Sequence, residues 1–154
     1  MRLPAALRPL RHKLFRMLWT ANLVVAMGVW MQNTGAGWLM TTLAPDALTV
    51  SLVQAATILP VFLLALPAGA LADIIDKRMF IVGTQSWMLA AAALLAVLTF
   101  AGLTGAWSLL ALTFAIGAGS AMNSPAWGSV MAEVVPRQDL AQAIALTRDG
   151  FNLA

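Results

Sequence analysis

Residues 69–78 read GALADIIDKR, with Asp73, Asp76, Lys77 and Arg78 crowded into six positions. On both sides the chain carries no charge over long distances. Residues 17–45, 47–72 and 79–132 are uncharged, in runs of 29, 26 and 54. The whole chain has 154 residues, 61% of them hydrophobic and 10% charged. A soluble domain has about 25% charged residues, so this chain cannot cover a water-facing surface. A helix crossing a bilayer needs about 20 mostly apolar residues. The first two runs each hold one such helix. The third holds two if a turn divides it, and the paired glycines of Ala101-Gly102-Leu103-Thr104-Gly105-Ala106 supply that turn. Four spans follow, near residues 17–43, 48–72, 79–101 and 106–132. The runs do not alternate apolar and polar residues, which excludes barrel strands.

The first run is far longer than the apolar core of a secretory signal, about 7–15 residues. The chain has no Cys, so disulfides and thiolate metal sites are excluded. The single His12 sits among bases and reads as a solvated polar group.

Four spans put the N-terminal segment, the 73–78 loop and the segment after Glu133 on one side. All nine bases fall there: Arg2, Arg8, Arg11, Lys13, Arg16, Lys77, Arg78, Arg137 and Arg148. The other side carries Asp46 alone. Lys and Arg concentrate in cytoplasmic loops, so the N-terminus and the 73–78 loop are expected in the cytoplasm. The net charge of +3 comes from this sorting and does not indicate nucleic-acid binding. Trp19 and Trp127 fall near inner helix ends and Trp38 and Trp107 near outer ends, as in an interfacial belt. Trp30 and Trp87 sit deeper, where they either pack between helices or line a cavity.

No charge lies deep in any span, so no intramembrane acid marks an ion pathway. In the first span Asn22, Ala26, Trp30, Asn33 and Gly37 fall within an arc of about 80°. Amides facing lipid are costly, so this stripe is expected to face protein or water. Two readings stay open. One is interhelical hydrogen bonding, worth about 0.6 kcal/mol per pair. The other makes Asn22, Ala26, Trp30 and Asn33 one wall of a substrate cavity. In the fourth span Gly117, Ser120, Ala121, Ser124 and Gly128 share a face suited to close helix packing. Pro60, Pro67 and Pro125 should bend their helices.

The positive-inside rule accounts for Lys77 and Arg78 but not for Asp73 and Asp76. GALADIIDKR resembles the signature between the second and third helices of the major facilitator superfamily, G-x-L-a-D-r-x-G-r-r. Gly69, Leu71, Ala72, Asp73 and the basic pair Lys77–Arg78 match, while Ile74 replaces an Arg and Asp76 a Gly. MQNTGAGWLM (31–40), LPVFLLALPAGALAD (59–73) and NSPAWGSVMAEVVPRQDLAQAIALTRDGFNLA (123–154) look like an exporter branch of that superfamily, the one that includes the enterobactin exporter.

The resemblance implies an all-α membrane protein with four transmembrane helices and the start of a fifth, part of a twelve-helix fold. Residues 1–16 would be a basic cytoplasmic segment and 17–136 the four-helix part of the N-terminal transporter half. Residues 137–154 would be a cytoplasmic loop and the opening of the fifth helix, with the C-terminal part of the same transporter missing. The implied function is export of a siderophore- or drug-like small molecule across the inner membrane by alternating access. No cofactor is implied. Asp73 would close the cytoplasmic side against the facing half. A carboxylate near a helix N-terminus gains up to about 1 kcal/mol, and Asp73 would be that group. Lys77 and Arg78 would orient it, Gly69 would precede it, and Glu133 would complete the network with Asp76 as an added charge. The Arg frequent in the fourth span of proton-coupled members is absent. Three other readings remain: a complete four-helix oligomeric transporter, a non-transporting membrane fragment, and a membrane enzyme holding metal at Asp73 and Asp76.

Overall fold

The computed structural model describes residues 9–136 and 142–143, with side chains at all of these except 72–73 and 131–133. The expected basic segment is therefore described only from Pro9 onward. The expected start of a fifth helix lies outside the described residues, and of the expected loop before it only 142–143 are described, as helix.

Four long helices follow one another: α1 (Lys13–Leu43), α2 (Ala47–Ile74), α3 (Lys77–Phe100) and α4 (Ala106–Val134). All four are long and apolar enough to cross a membrane. Their outward faces are hydrocarbon, with Phe62 84%, Leu66 88% and Phe100 93% exposed. Water would not tolerate so much exposed apolar surface. A bilayer would, because lipid tails are as apolar as the side chains.

Two of the helices start earlier than the apolar runs do. Lys13 and Arg16 lie inside α1, and Lys77 and Arg78 inside α3. Helix ends are set by capping hydrogen bonds, whereas the apolar runs mark where hydrocarbon begins. Asp46 begins α2, its Oδ2 accepting the Thr49 N–H at 3.3 Å and the Thr49 hydroxyl at 3.2 Å. The one charge on its side of the membrane thus has a local role. The turn after α3 is a glycine C-cap. Gly102 has φ +69°, its N–H donates to Thr99 O at 3.1 Å, and the Leu103 N–H reaches back to Leu98 O at 2.9 Å. A Cβ in that left-handed conformation is strained, which is why a Gly divides the 54-residue run here.

The chain forms two compact units, Asn33–Trp127 and Met1–Gln32 with Gly128–Ala154. In the first, Ala36 and Met40 of α1, Val53 of α2, Leu95 of α3 and Leu109 and Leu110 of α4 form one buried cluster. A second cluster joins Phe80 of α3 to Ala126 of α4. Within the second unit Phe15, Ala26 and Val135 are buried.

Two glycines of α4 leave no free room for a side chain. A Cβ on Gly117 would lie 3.1 Å from Thr57 O, 3.3 Å from Ala56 O and 3.2 Å from Pro60 Cγ of α2. Pro60 has no N–H, so the Ala56 carbonyl four residues earlier loses its helical donor. The crossing therefore falls on the weakened turn of α2, where Cα–H···O contacts can form. Gly119, on the other flank of α4, has a tighter fit against α3. A Cβ there would stand 2.5 Å from Met88 Cγ and 3.1 Å from Trp87 Cδ1. Packing at Gly117 and Ala121 agrees with the small-residue face expected from the sequence, but Ser124 and Gly128 of that face are exposed.

Candidate functional site

The charged segment is hardly a loop. Ile75 and Asp76 are the two residues between α2 and α3. Ile75 is extended (φ −91°, ψ 148°) and its N–H still bonds Leu71 O at 3.0 Å. Asp76 caps α3. Its Oδ1 accepts the Met79 N–H at 3.0 Å and its backbone carbonyl accepts the Phe80 N–H at 2.9 Å. The link thus leaves only two residues between the end of α2 and the start of α3.

Helix dipoles sort the four charges. The N-terminus of a helix carries about half a positive charge and the C-terminus about half a negative one. Asp76 stands at the N-terminus of α3, where a carboxylate is stabilised. Asp73 lies in the last turn of α2, where one is not. Lys77 and Arg78 occupy the first turn of α3, against its dipole. The helix-terminal carboxylate is thus Asp76, the position where the superfamily signature has Gly, rather than Asp73. Local conflicts of this kind collect at functional sites, because helix stability alone would choose the opposite signs. Sorting of bases across the membrane explains Lys77 and Arg78. That sorting does not account for Asp73, in the last turn of α2.

Gly69 is half-buried in α2 with no atom within 4 Å of where a Cβ would be. Lys77 is half-buried and Arg78 exposed. The side chains of Asp73 and Glu133 are outside those described, and Glu133 falls in the last turn of α4, in the other compact unit. Among the described residues no three His, Asp or Glu side chains form a group that could hold a metal.

The amide stripe of α1 overlaps the buried face of that helix. Phe15, Ala26, Ala36 and Met40 are its buried side chains, and at about 100° per residue they fall within about 40° of Asn22. Asn22 and Asn33 are half-buried, while Trp30, at the edge of the stripe, is 47% exposed. The amides thus fall on the face of α1 that holds its buried side chains, and not on one given wholly to lipid, where they would be costly. Trp87, the other deep tryptophan, is 57% exposed but donates from Nε1 to Ala115 O of α4 at 2.9 Å. Trp38 and Trp107 are exposed at helix ends, as an interfacial belt requires.

A feature with no counterpart in the sequence reading lies between α3 and α4. It is a groove of about 550 Å³ bounded by Met79, Phe80, Gly83 and Trp87 on one wall and Gly119 and Met122 on the other. Gly119 was the available signal, but it stands about 200° around α4 from Gly117 and escapes a search for one small-residue stripe.

The chain was compared with known families, proteins and structures. The family model described as a transmembrane secretion effector, one of the major facilitator models, matches residues 4–154. No curated protein matches the chain, and no solved structure does.

Proposed function

Because this chain belongs to the transmembrane secretion effectors of the major facilitator superfamily, we propose that it exports a siderophore- or drug-like small molecule by alternating access. It is a multi-pass membrane protein of a transport family. In this proposal residues 17–136 belong to the N-terminal half of a twelve-helix transporter of the inner membrane, with the N-terminus cytoplasmic. The sorting of all nine bases to one side supports the orientation.

One observation carries the gate. Asp73 sits in the last turn of α2 against the helix dipole, two residues before the capping Asp76. Its charge is kept for a partner outside its own helix. In the proposal that partner belongs to the facing half of the transporter, and Lys77 and Arg78 orient the carboxylate. The two-residue link passes its displacement to α3. Asn22, Ala26, Trp30 and Asn33 of α1 form the cavity wall in the same scheme. Efflux from cells or vesicles carrying the full-length transporter tests the gate. Asp73→Asn should lower efflux at unchanged membrane abundance, and equal efflux by the variant sinks the proposal.

A further inference from the structure

Two hydrogen bonds join α3 to α4 within the uncharged run 79–132, both inside the unit Asn33–Trp127. Trp87 Nε1 donates to Ala115 O at 2.9 Å, and Thr84 Oγ1 donates to Asn123 Oδ1 at 3.2 Å. Thr84 is buried and shares its one proton with Phe80 O and Ile81 O of its own helix, both at 3.0 Å. Its bond to Asn123 is therefore the weaker of the two. Thr84 and Trp87 stand about one turn apart on α3. A polar group parted from its partner in hydrocarbon finds no water to replace it, so the two bonds resist separation.

The indole fits α4 at one register. Trp87 Cδ1 stands 3.1 Å from where a Cβ on Gly119 would be, and Met88 Cγ 2.5 Å from the same point. The carbonyl that takes the Trp87 N–H belongs to Ala115, about one turn from that glycine. A slide of one turn, about 5.4 Å, would carry the ring onto Ala115 and Ile116 or onto Met122 and Asn123, all of which have a Cβ. It would also break both bonds. Gly117 offers no second seat, because Ala56, Thr57 and Pro60 of α2 fill the space beside it.

We propose that Trp87 seated on Gly119, with Thr84 bonded to Asn123, forms a register lock that keeps α3 from sliding along α4. Its consequence for transport rests on the gate proposed above. The gate is joined to the start of α3 by a two-residue link, and the lock passes an axial displacement of α3 on to α4. Trp87 is in this role a positioning residue. The lock itself does not depend on the gate.

The test uses the full-length transporter, with efflux of ethidium as a drug-like probe. Residues 1–154 supply no Cys, so a placed pair is the only reactive one among them. Thr84→Cys, Asn123→Cys and Trp87→Phe together remove both bonds, and efflux should fall about fivefold at unchanged membrane abundance, the low end of a coupling between conformational states. Joining the two cysteines with a short membrane-permeant bis-methanethiosulfonate puts a covalent tie in place of the bonds. Efflux should return to the wild-type level and fall again on reduction. A tie that leaves efflux low or lowers it further overturns the lock, since a tie harms helices that must slide. A triple variant that exports as well as wild type overturns it too. A second readout needs no transport: deuterium exchange of the Trp87 indole N–H, the side-chain signal missing from Trp87→Phe. Gly119→Val unseats the ring and should speed that exchange about tenfold. Gly128→Val, where a Cβ meets nothing within 4 Å, should not. Unchanged exchange in Gly119→Val removes the lock even where wild type does not export ethidium. Full efflux by Asp73→Asn would remove the gate and leave the lock standing.

Discussion

Asp76 Oδ1 accepts the amide N–H of Met79 at 3.0 Å, and this bond divides the labour between the two acids of the charged link. Asp76 holds the start of α3, so its carboxylate is explained by helix geometry. Asp73 lies instead in the last turn of the preceding helix, and the proposal gives it the gate. The two can be separated by experiment.

Asp76→Ala removes the cap and should cost about 1 kcal/mol of stability. Asp76→Asn keeps an accepting oxygen in the same place and should unfold within a few tenths of a kcal/mol of wild type. Thermal unfolding of the two variants in one detergent compares them directly. Equal losses in both would show that the charge matters more than the capping oxygen.

Asp73→Asn should leave stability unchanged and reduce efflux by about tenfold, a typical coupling between two conformational states. Removing a charge from the C-terminal turn of α2 relieves an unfavourable dipole contact, so any change in stability should be a small gain. A loss of folded protein that parallels the loss of efflux would contradict this assignment.

Gly117→Val drives a branched side chain into the carbonyls of Ala56 and Thr57, which stand 3.3 and 3.1 Å from a Cβ at that position. Backbone atoms cannot rotate away, so α4 must lift off α2 at a cost of about 1–3 kcal/mol. Gly28→Ala in α1 meets nothing within 4 Å and should be neutral or slightly stabilising through helix propensity. Denaturation in mixed micelles ranks the pair, and a Gly117→Val protein as stable as Gly28→Ala would show that the crossing is loose.

The absence of Cys makes the topology directly testable. A single cysteine at Arg78 should react with an impermeant maleimide only from the cytoplasmic side. One at Leu103, in the glycine turn, should react only from the opposite side. Labelling of both from the same side would remove the four-span alternation on which the orientation rests.

The four membrane spans are legible in the residues alone. A charge in hydrocarbon costs several kcal/mol, so runs of 29, 26 and 54 uncharged residues leave little choice of where helices cross. The glycine turn at 102 and the sorting of bases are legible for similar reasons. Each depends on local backbone sterics or on the membrane, not on distant contacts. The cap at Asp76 could also have been read, since an acid just before a helix is a common start signal. The apolar run, however, begins only at Met79, three residues after that cap. Only the tertiary structure decided which small residues matter and where a groove opens. Gly119 and Gly128 look alike in sequence, yet a Cβ on the first would collide with Met88 and one on the second would meet open space. That difference comes from the neighbour each glycine faces, and a helix's own residues do not say which of its sides another helix will cover.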